Sequence, residues 1–318
     1  MKKKNTCIVT GGAGFIGSHL IKNLIKRGYF VYCIDNLLTG TRQNIKDLFT
    51  NPFFRFFESD LIKDSLNFIK DKKVDSIFHL ASPASPPLYR RFSIETLLVN
   101  SIGTYRMLEI AVKNNSRFLL ASTSEVYGDP KEHPQKETYY GHVNPVGLRA
   151  CYDESKRFAE AITMEYHRKF KIDVRIVRIF NTYGPNMKVD DGRVISNFVT
   201  QAIKGKPLTI YGAGTQTRSF CFVSDMVDGI IAAIESKSAA NKIINLGNPS
   251  ELTIRELAGL VLELTKSSSK IVKLDKRLSD DPEKRKPDIS EAGRLLNFEP
   301  KVNLEEGLKK TIAYFKSL

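Results

Sequence analysis

One segment, Thr10-Gly11-Gly12-Ala13-Gly14-Phe15-Ile16-Gly17, follows a β-branched run directly and opens a helical one, and that order narrows the choice of folds sharply. Glycines at such a junction permit a tight turn and let the backbone approach a pyrophosphate, whose charge a helix N-terminus stabilises. A glycine turn alone is weak evidence, because many strands join helices that way; the strand before it and the helix after it give it weight. Asp35 ends the next strand, 18 residues beyond Gly17. A carboxylate there can accept hydrogen bonds from adenosine ribose hydroxyls and repels a 2′-phosphate, so the expected cofactor is NAD and not NADP.

Strand-like runs recur at Thr6 to Thr10, Phe30 to Asp35, Phe53 to Glu58, Ser76 to Leu80, Arg117 to Ser122 and Asp173 to Arg178. Helical spacing of apolar residues from Ser18 to Lys26, Thr96 to Lys113 and Cys151 to Phe170 places helices between them. The pattern predicts an α/β fold, a doubly wound parallel (Rossmann) sheet. After about Asn181 the texture turns to Gly, Pro, Asn and Asp clusters, which predicts a smaller α/β substrate-binding domain. Cys221 to Ile234 again reads as strand then helix packing back on the first lobe. The expected division is therefore discontinuous: 1–180 plus about 221–245 for the NAD-binding domain, and about 181–220 plus 246–318 for the other.

The chain of 318 residues carries a net charge of +14, which raises the question of a polyanionic partner. Its basic residues are scattered, however, with only Lys2, Lys3 and Lys4 forming a compact run. That distribution reads as a solvated lysine-rich surface, so no nucleic-acid partner is expected. Cys7, Cys33, Cys151 and Cys221 lie far apart in or beside apolar segments, without metal-ligand spacing, and read as buried reduced thiols. No metal is expected. The basic start leads into an apolar stretch too short for a signal peptide, and no segment reaches the roughly 18 apolar residues of a membrane span. A soluble, cytoplasmic protein with no membrane partner is the expectation.

Tyr152 and Lys156 stand four residues apart on a predicted helix and so share a face. A tyrosine of ordinary pKa, about 10, is a poor base at neutral pH, and a neighbouring ammonium and the nicotinamide's positive charge are expected to acidify it. The pair gains meaning from Thr123-Ser124-Glu125, just past the strand RFLLAS, because strand carboxyl ends line the crevice of a doubly wound sheet.

Taken together, the glycine turn, the Tyr152/Lys156 pair and the chain length resemble the extended short-chain dehydrogenase/reductase superfamily in its sugar-nucleotide branch. HLASPASPP (79–87), LLASTSEVYGDP (119–130), GHVNPVGLRACYDESKR (141–157), RIFNTYGPNM (178–187), DGRVISNF (191–198) and RKPDI (285–289) resemble the UDP-glucuronate decarboxylases within it. The likeness runs from Asn5 to Phe315. It departs where the family often has glycine before the lysine and this chain has Ser155.

The resemblance implies an NAD site lined by Gly11, Gly14, Phe15, Ile16, Gly17, Asp35, Asn36, Thr39, Gly40, Asp60, Leu61, Leu80, Ser82, Tyr152, Lys156, Thr182 and Arg193. It places catalytic groups at Thr123, Ser124, Glu125, Tyr152, Lys156 and Arg285, and sugar-nucleotide contacts at Tyr89, Asn181, Gln216, Arg218 and Arg285. A surface position within Lys284-Arg285-Lys286 is what the sequence by itself favours for Arg285. The implied reaction oxidises UDP-glucuronate at C4, loses CO2 from the β-keto acid and reduces the ketone to UDP-xylose. Alternatives on the same scaffold are a decarboxylase that releases the keto pentose, a 4,6-dehydratase and a 4-epimerase; a catalytically silent dinucleotide sensor would be expected to lack the Tyr/Lys pair. The resemblance further implies a homodimer formed through helices at Thr96 to Lys113 and Cys151 to Phe170.

Overall fold

The computed structural model describes residues 5–275 and 284–318; the run Lys2, Lys3, Lys4 lies outside them. Seven strands form the main sheet: β1 (Thr6–Thr10), β2 (Phe30–Asp35), β3 (Phe54–Glu58), β4 (Ser76–His79), β5 (Arg117–Thr123), β6 (Val174–Ile179) and a last strand, Ile243–Leu246. Their spatial order is Ile243–Leu246, β6, β5, β4, β1, β2, β3. Every neighbouring pair is parallel.

The strands carry near-continuous apolar runs because both faces of the sheet are covered. Alternate residues divide between two core layers. Val9, Val31, Phe78, Leu119 and Val177 face one, with Leu20, Ile21 and Leu24 of helix α1 (Phe15–Lys26) and Ile230 of helix Val223–Glu235. Ile8, Ile34, Ile77, Leu120 and Ile176 face the other, with Met107, Leu108 and Ala159 from helices Thr104–Asn114 and Ala150–Phe170. Strand order reverses between β1 and β4, and a crevice opens at such a switch point, outside the strands' carboxyl ends.

Expected strands match to within a residue at each end, but the helix expected from Thr96 to Lys113 is not one regular element. Helix Ser93–Leu98 passes through a π turn, Val99–Gly103, into Thr104–Asn114. The wider turn swings Asn100 inward, where its Nδ2 lies 3.0 Å from both Ser82 Oγ and Ser155 Oγ.

Beyond β6 the chain builds a second group of elements. Leu208–Tyr211 pairs in parallel with Ile271–Leu274, and Thr217–Ser219 lies between Glu251–Thr253 and Lys284–Arg285. Helix Ile254–Thr265 starts on a capping box, Thr253 with Glu256, which satisfies backbone donors at its first turn. No helix among the described residues is long and apolar enough to cross a membrane.

Candidate active site

A cavity of about 1560 Å³ runs from the turn after β1 to the strands of the second group, and all the residues expected at the site line it. Its size exceeds the roughly 300–1,000 Å³ of a site for one drug-sized ligand. It is long enough to pass from the glycine turn, through Ser82 and Tyr152, to Gln216 and Arg218.

The turn end is made mostly by backbone. Gly11 has φ of +70°, and a Cβ there would sit 2.8 Å from the Cα of Ala81. A Cβ at Gly17 would come within 2.2 Å of the Gly11 carbonyl oxygen. Only glycine lets α1 start this close to β1, and its first-turn N–H groups then face the cavity as an anion cradle. Asp35 is buried at the tip of β2 and accepts from the amide of Ala13 at 2.9 Å and from Leu37 at 2.8 Å. Burial raises its carboxyl above the ordinary value, against those two hydrogen bonds. Asn36 Nδ2 donates to Asp60 Oδ2 at 3.1 Å, which ties the ends of β2 and β3 together. Glycine turn, helix N-terminus and strand-end acid fit the diphosphate and ribose of a dinucleotide.

At the centre stand Tyr152 and Lys156 on helix Ala150–Phe170. Lys156 is buried, donates from Nζ to the Ala121 carbonyl at 2.8 Å and lies 5.9 Å from the centre of the Tyr152 ring. Burial pushes its ammonium down to about 7, with Glu160 opposing. Tyr152 is also buried, and Tyr89 stacks on it with ring centres 5.1 Å apart. The protein's own groups leave this phenol above its ordinary value. Burial raises it most, and the hydrogen bond to Thr123 and the charge of Arg193 only partly offset that. The lysine offsets it less than a fully charged ammonium would, because the same burial has weakened its hold on a proton.

The sugar end is a knot of charge. Glu125, which follows β5, is gripped by Arg149, while Arg285 Nη1 lies 3.5 Å from its other oxygen. Burial alone would raise this carboxyl, but Arg149, Arg285 and Arg218 outweigh it and hold Glu125 below its usual range. Arg285 is no surface residue: it is 1 % exposed and donates to the carbonyls of Ser124 and Gly128, the latter at 2.7 Å. Pairing of Lys284–Arg285 with Thr217–Ser219 carries it inward, which the basic run around it does not signal. Arg193 pairs with Asp191. Of the four cysteines, Cys151 is the exception to full burial and lines the cavity.

The sequence model of the NAD dependent epimerase/dehydratase family matches residues 7–247. This chain belongs to that family. It is 51% identical over 316 residues to UDP-glucuronic acid decarboxylase 1 of Arabidopsis thaliana, covering 99% of this chain and 71% of that one. Identity to UDP-glucuronic acid decarboxylase 1 of Xenopus tropicalis is 49% over 315 residues, with 99% and 73% covered. Among solved structures, UDP-glucuronic acid 4-epimerase from Bacillus cereus, in complex with UDP-glucuronic acid and NAD, superposes with a TM-score of 0.88 at 30% identity, covering 98% of this chain and 99% of that one.

Four residues at or behind this family member's site escaped the sequence reading. Asp153 follows Tyr152 on its helix and Arg149 stands at that helix's N-cap, and an acid or arginine among 84 charged residues carries no mark of its partner. Asn100 is revealed only by the π turn. His79 lies between Thr10 Oγ1, 2.8 Å from Nδ1, and Thr104 Oγ1, 3.1 Å from Nε2. Thr104 spends its own hydrogen on the Asn100 carbonyl, so it accepts from Nε2–H and the ring is neutral. Burial, and then the nearby Lys156 charge, hold that imidazole down at about 3.

Proposed function

We propose that this chain is an NAD-dependent UDP-glucuronate decarboxylase, which converts its substrate to UDP-xylose and CO2. The observation that carries the reading is the sugar end of the cavity, where Arg149, Arg218 and Arg285 gather round Glu125 beside Tyr152. Fixed guanidinium groups there suit a sugar that bears a carboxylate, and relatives at about half identity over nearly the whole chain carry that activity in their names.

When bound, NAD supplies reversible acceptance and return of one hydride. Gly11, Gly14, Phe15, Ile16 and Gly17 would hold its pyrophosphate, and Asp35 its adenosine ribose, with Asn36, Thr39, Gly40, Asp60 and Leu61 beside it. Leu80, Ser82, Lys156, Thr182 and Arg193 complete that side. Tyr152 would take the proton of the C4 hydroxyl as that carbon is oxidised, its phenolate favoured by the Thr123 hydrogen bond, by the Lys156 ammonium and by the positive charge that a bound nicotinamide would supply. The C5 carboxylate of the resulting β-keto acid leaves as CO2, its electron pair passing into the C4 ketone as an enolate. C5 would then take one proton from solvent, which replaces the lost carboxylate, and Tyr152 would return its own proton to the C4 oxygen as that carbon is reduced again, so no net redox change remains. Arg285, pinned by two backbone carbonyls, orients the uronate together with Ser124 and Glu125. A clamp equally tight before and during carboxylate loss would give no rate gain. Tyr89, Asn181, Gln216 and Arg218 hold the rest of the nucleotide sugar.

The chain divides, on this reading, into an NAD-binding part, 1–180 plus about 221–245, and a sugar-nucleotide part, about 181–220 plus 246–318. A homodimer through the helices at Thr96 to Lys113 and Cys151 to Phe170 is supported by the exposure of Leu97, Ile102, Tyr105 and Phe158 on them. Free thiols at Cys7, Cys33, Cys151 and Cys221 support a cytoplasmic location. The deciding experiment incubates the purified protein with UDP-glucuronate and catalytic NAD and identifies the product by mass and NMR. UDP-xylose with CO2 is expected. UDP-galacturonate, or a keto pentose with stoichiometric NADH, would overturn the assignment.

A further inference from the structure

Behind the Glu125–Arg149 ion pair lies a second carboxyl, Asp153, one helical turn from Arg149 and next in sequence to Tyr152. It is 5 % exposed, and its Oδ1 is buried without a hydrogen-bond partner among the described residues. Its Oδ2 stands 3.8 Å from Arg149 Nε, while the Nη2 of that guanidinium is turned to Glu125. Glu125 thus has the close contact and Asp153 the distant one. A buried carboxylate left in that state costs more than a neutral carboxyl in the same place.

We propose that Asp153 is a positioning residue for the decarboxylation: as a neutral carboxyl it braces Arg149 toward Glu125 and the sugar end of the cavity, and on losing its proton it draws the guanidinium back and weakens binding of the anionic sugar. The inference rests on the decarboxylase reading, because it assigns the brace to an enzyme whose substrate brings a third carboxylate to the same arginines. Asp153 itself does not line the cavity, so its effect passes through Arg149.

The groups facing Asp153 set its behaviour. Burial, followed by the Glu125 charge, pushes its carboxyl up to about 8, with Glu154 of its own helix adding to the rise and Arg149 and Arg285 opposing it. The phenols of Tyr152 and Tyr89 and the Cys151 thiol also sense its charge, and burial raises all three above their ordinary values. Below that pH Asp153 is uncharged and Arg149 serves Glu125. Above it, a new anion competes for the guanidinium and repels the substrate carboxylate.

The test is KM for UDP-glucuronate on the NAD-loaded enzyme across pH. Wild type is expected to show a rise of roughly tenfold between about pH 7 and about pH 9.5, while kcat follows Tyr152 and Lys156 separately. Asp153→Asn, which cannot ionise, should flatten that rise to less than about twofold, and Asp153→Ala, which removes the brace, should raise KM at every pH without the slope. A purely structural role would move melting temperature and leave the KM slope intact in Asp153→Asn, and that result overturns the proposal. Should neither variant fold, carbon-13 NMR of aspartate-labelled wild type decides: a carboxyl titrating near 8 is expected, and none above neutrality refutes it. Failure of wild type to decarboxylate UDP-glucuronate would instead defeat the functional reading on which the proposal rests.

Discussion

The two ends of the cavity are built by different means. At the cofactor end, one continuous stretch from Thr10 to Gly17 makes the cradle from backbone amides, and a single strand-end acid, Asp35, completes it. At the sugar end, Glu125, Arg149, Arg218 and Arg285 arrive from four separate segments and act through side-chain charge. Backbone donors are indifferent to pH and fail only when the chain path changes. A charged cluster titrates, and it loses function when one member moves. The centre, Tyr152 with Lys156, belongs to neither type, since its properties come from burial on one helix.

The sharpest way to break this contrast is at the centre. Tyr152→Phe removes only an oxygen, and general acid–base groups contribute roughly 10²–10⁴ in rate, so kcat should fall by about 10³ or more. NAD affinity, set by the cradle, should change by less than about threefold. Single-turnover kinetics and NAD titration measure the two separately. Retained turnover would place the base elsewhere.

Next comes the cradle. In Gly17→Ala the new methyl meets the Gly11 carbonyl oxygen at 2.2 Å and the Gly12 Cα at 2.8 Å, both backbone atoms that cannot rotate aside. Overpacking of that kind costs about 1–3 kcal/mol and displaces the N–H groups from the pyrophosphate. NAD should bind roughly 30-fold more weakly, by calorimetry. Unchanged affinity would mean that the backbone is not what binds.

What could be read in the sequence follows the same division. The parallel sheet was legible because its inner strands are buried on both faces and keep apolar runs, as in TCIVT of β1 and RFLLAST of β5. The glycine turn was legible because one local segment carries its whole geometry. Arg285 was visible through a resemblance but not as a buried group, since its inward path depends on a strand pairing with Thr217–Ser219. Arg149 and Asp153 were not legible at all: their meaning lies in Glu125, 24 and 28 residues away. The burial that raises the phenol was not legible, because a Tyr-x-x-x-Lys spacing says that two side chains meet, and says nothing of how deeply both are buried. Likewise the π turn at Val99–Gly103 has no apolar period of its own, and its cause, Asn100 reaching Ser82 and Ser155, is tertiary.

A smaller effect separates stability from function at Lys156. Its folded-state pKa is lowered from 10.5 to about 7, so between those values the unfolded chain holds a proton that the folded chain has released. Stability therefore rises as pH climbs through that window, and the burial penalty is fully present below it. Lys156→Met should abolish turnover yet stabilise the apo protein at neutral pH by about 1–3 kcal/mol, once the lost hydrogen bond to Ala121 is subtracted. Denaturant melts of both proteins at about pH 7 and about pH 10 check this, and the gap should narrow at the higher pH. Equal slopes would show that Lys156 keeps its ordinary pKa.

The smallest change expected is at Asp35, and it is the most direct test of whether one side chain matters in a cradle made of backbone. Both carboxylate oxygens accept a main-chain N–H, from Ala13 and Leu37. Asp35→Asn turns one of those acceptors into a donor facing a donor, a loss of about 1 kcal/mol in stability. It cannot swing away, because a Cβ added at Gly40 would already lie 3.0 Å from Oδ1, so the space beside the carboxylate is nearly closed. The variant also loses the charge that repels a 2′-phosphate. Preference for NAD over NADP, measured as the ratio of kcat/KM values, should shrink roughly tenfold while the absolute NAD value falls only a few-fold. If the ratio holds while stability drops, Asp35 serves only to pin Ala13 and Leu37, and discrimination against the phosphate must come from the closeness of the Thr39–Gly40 backbone instead.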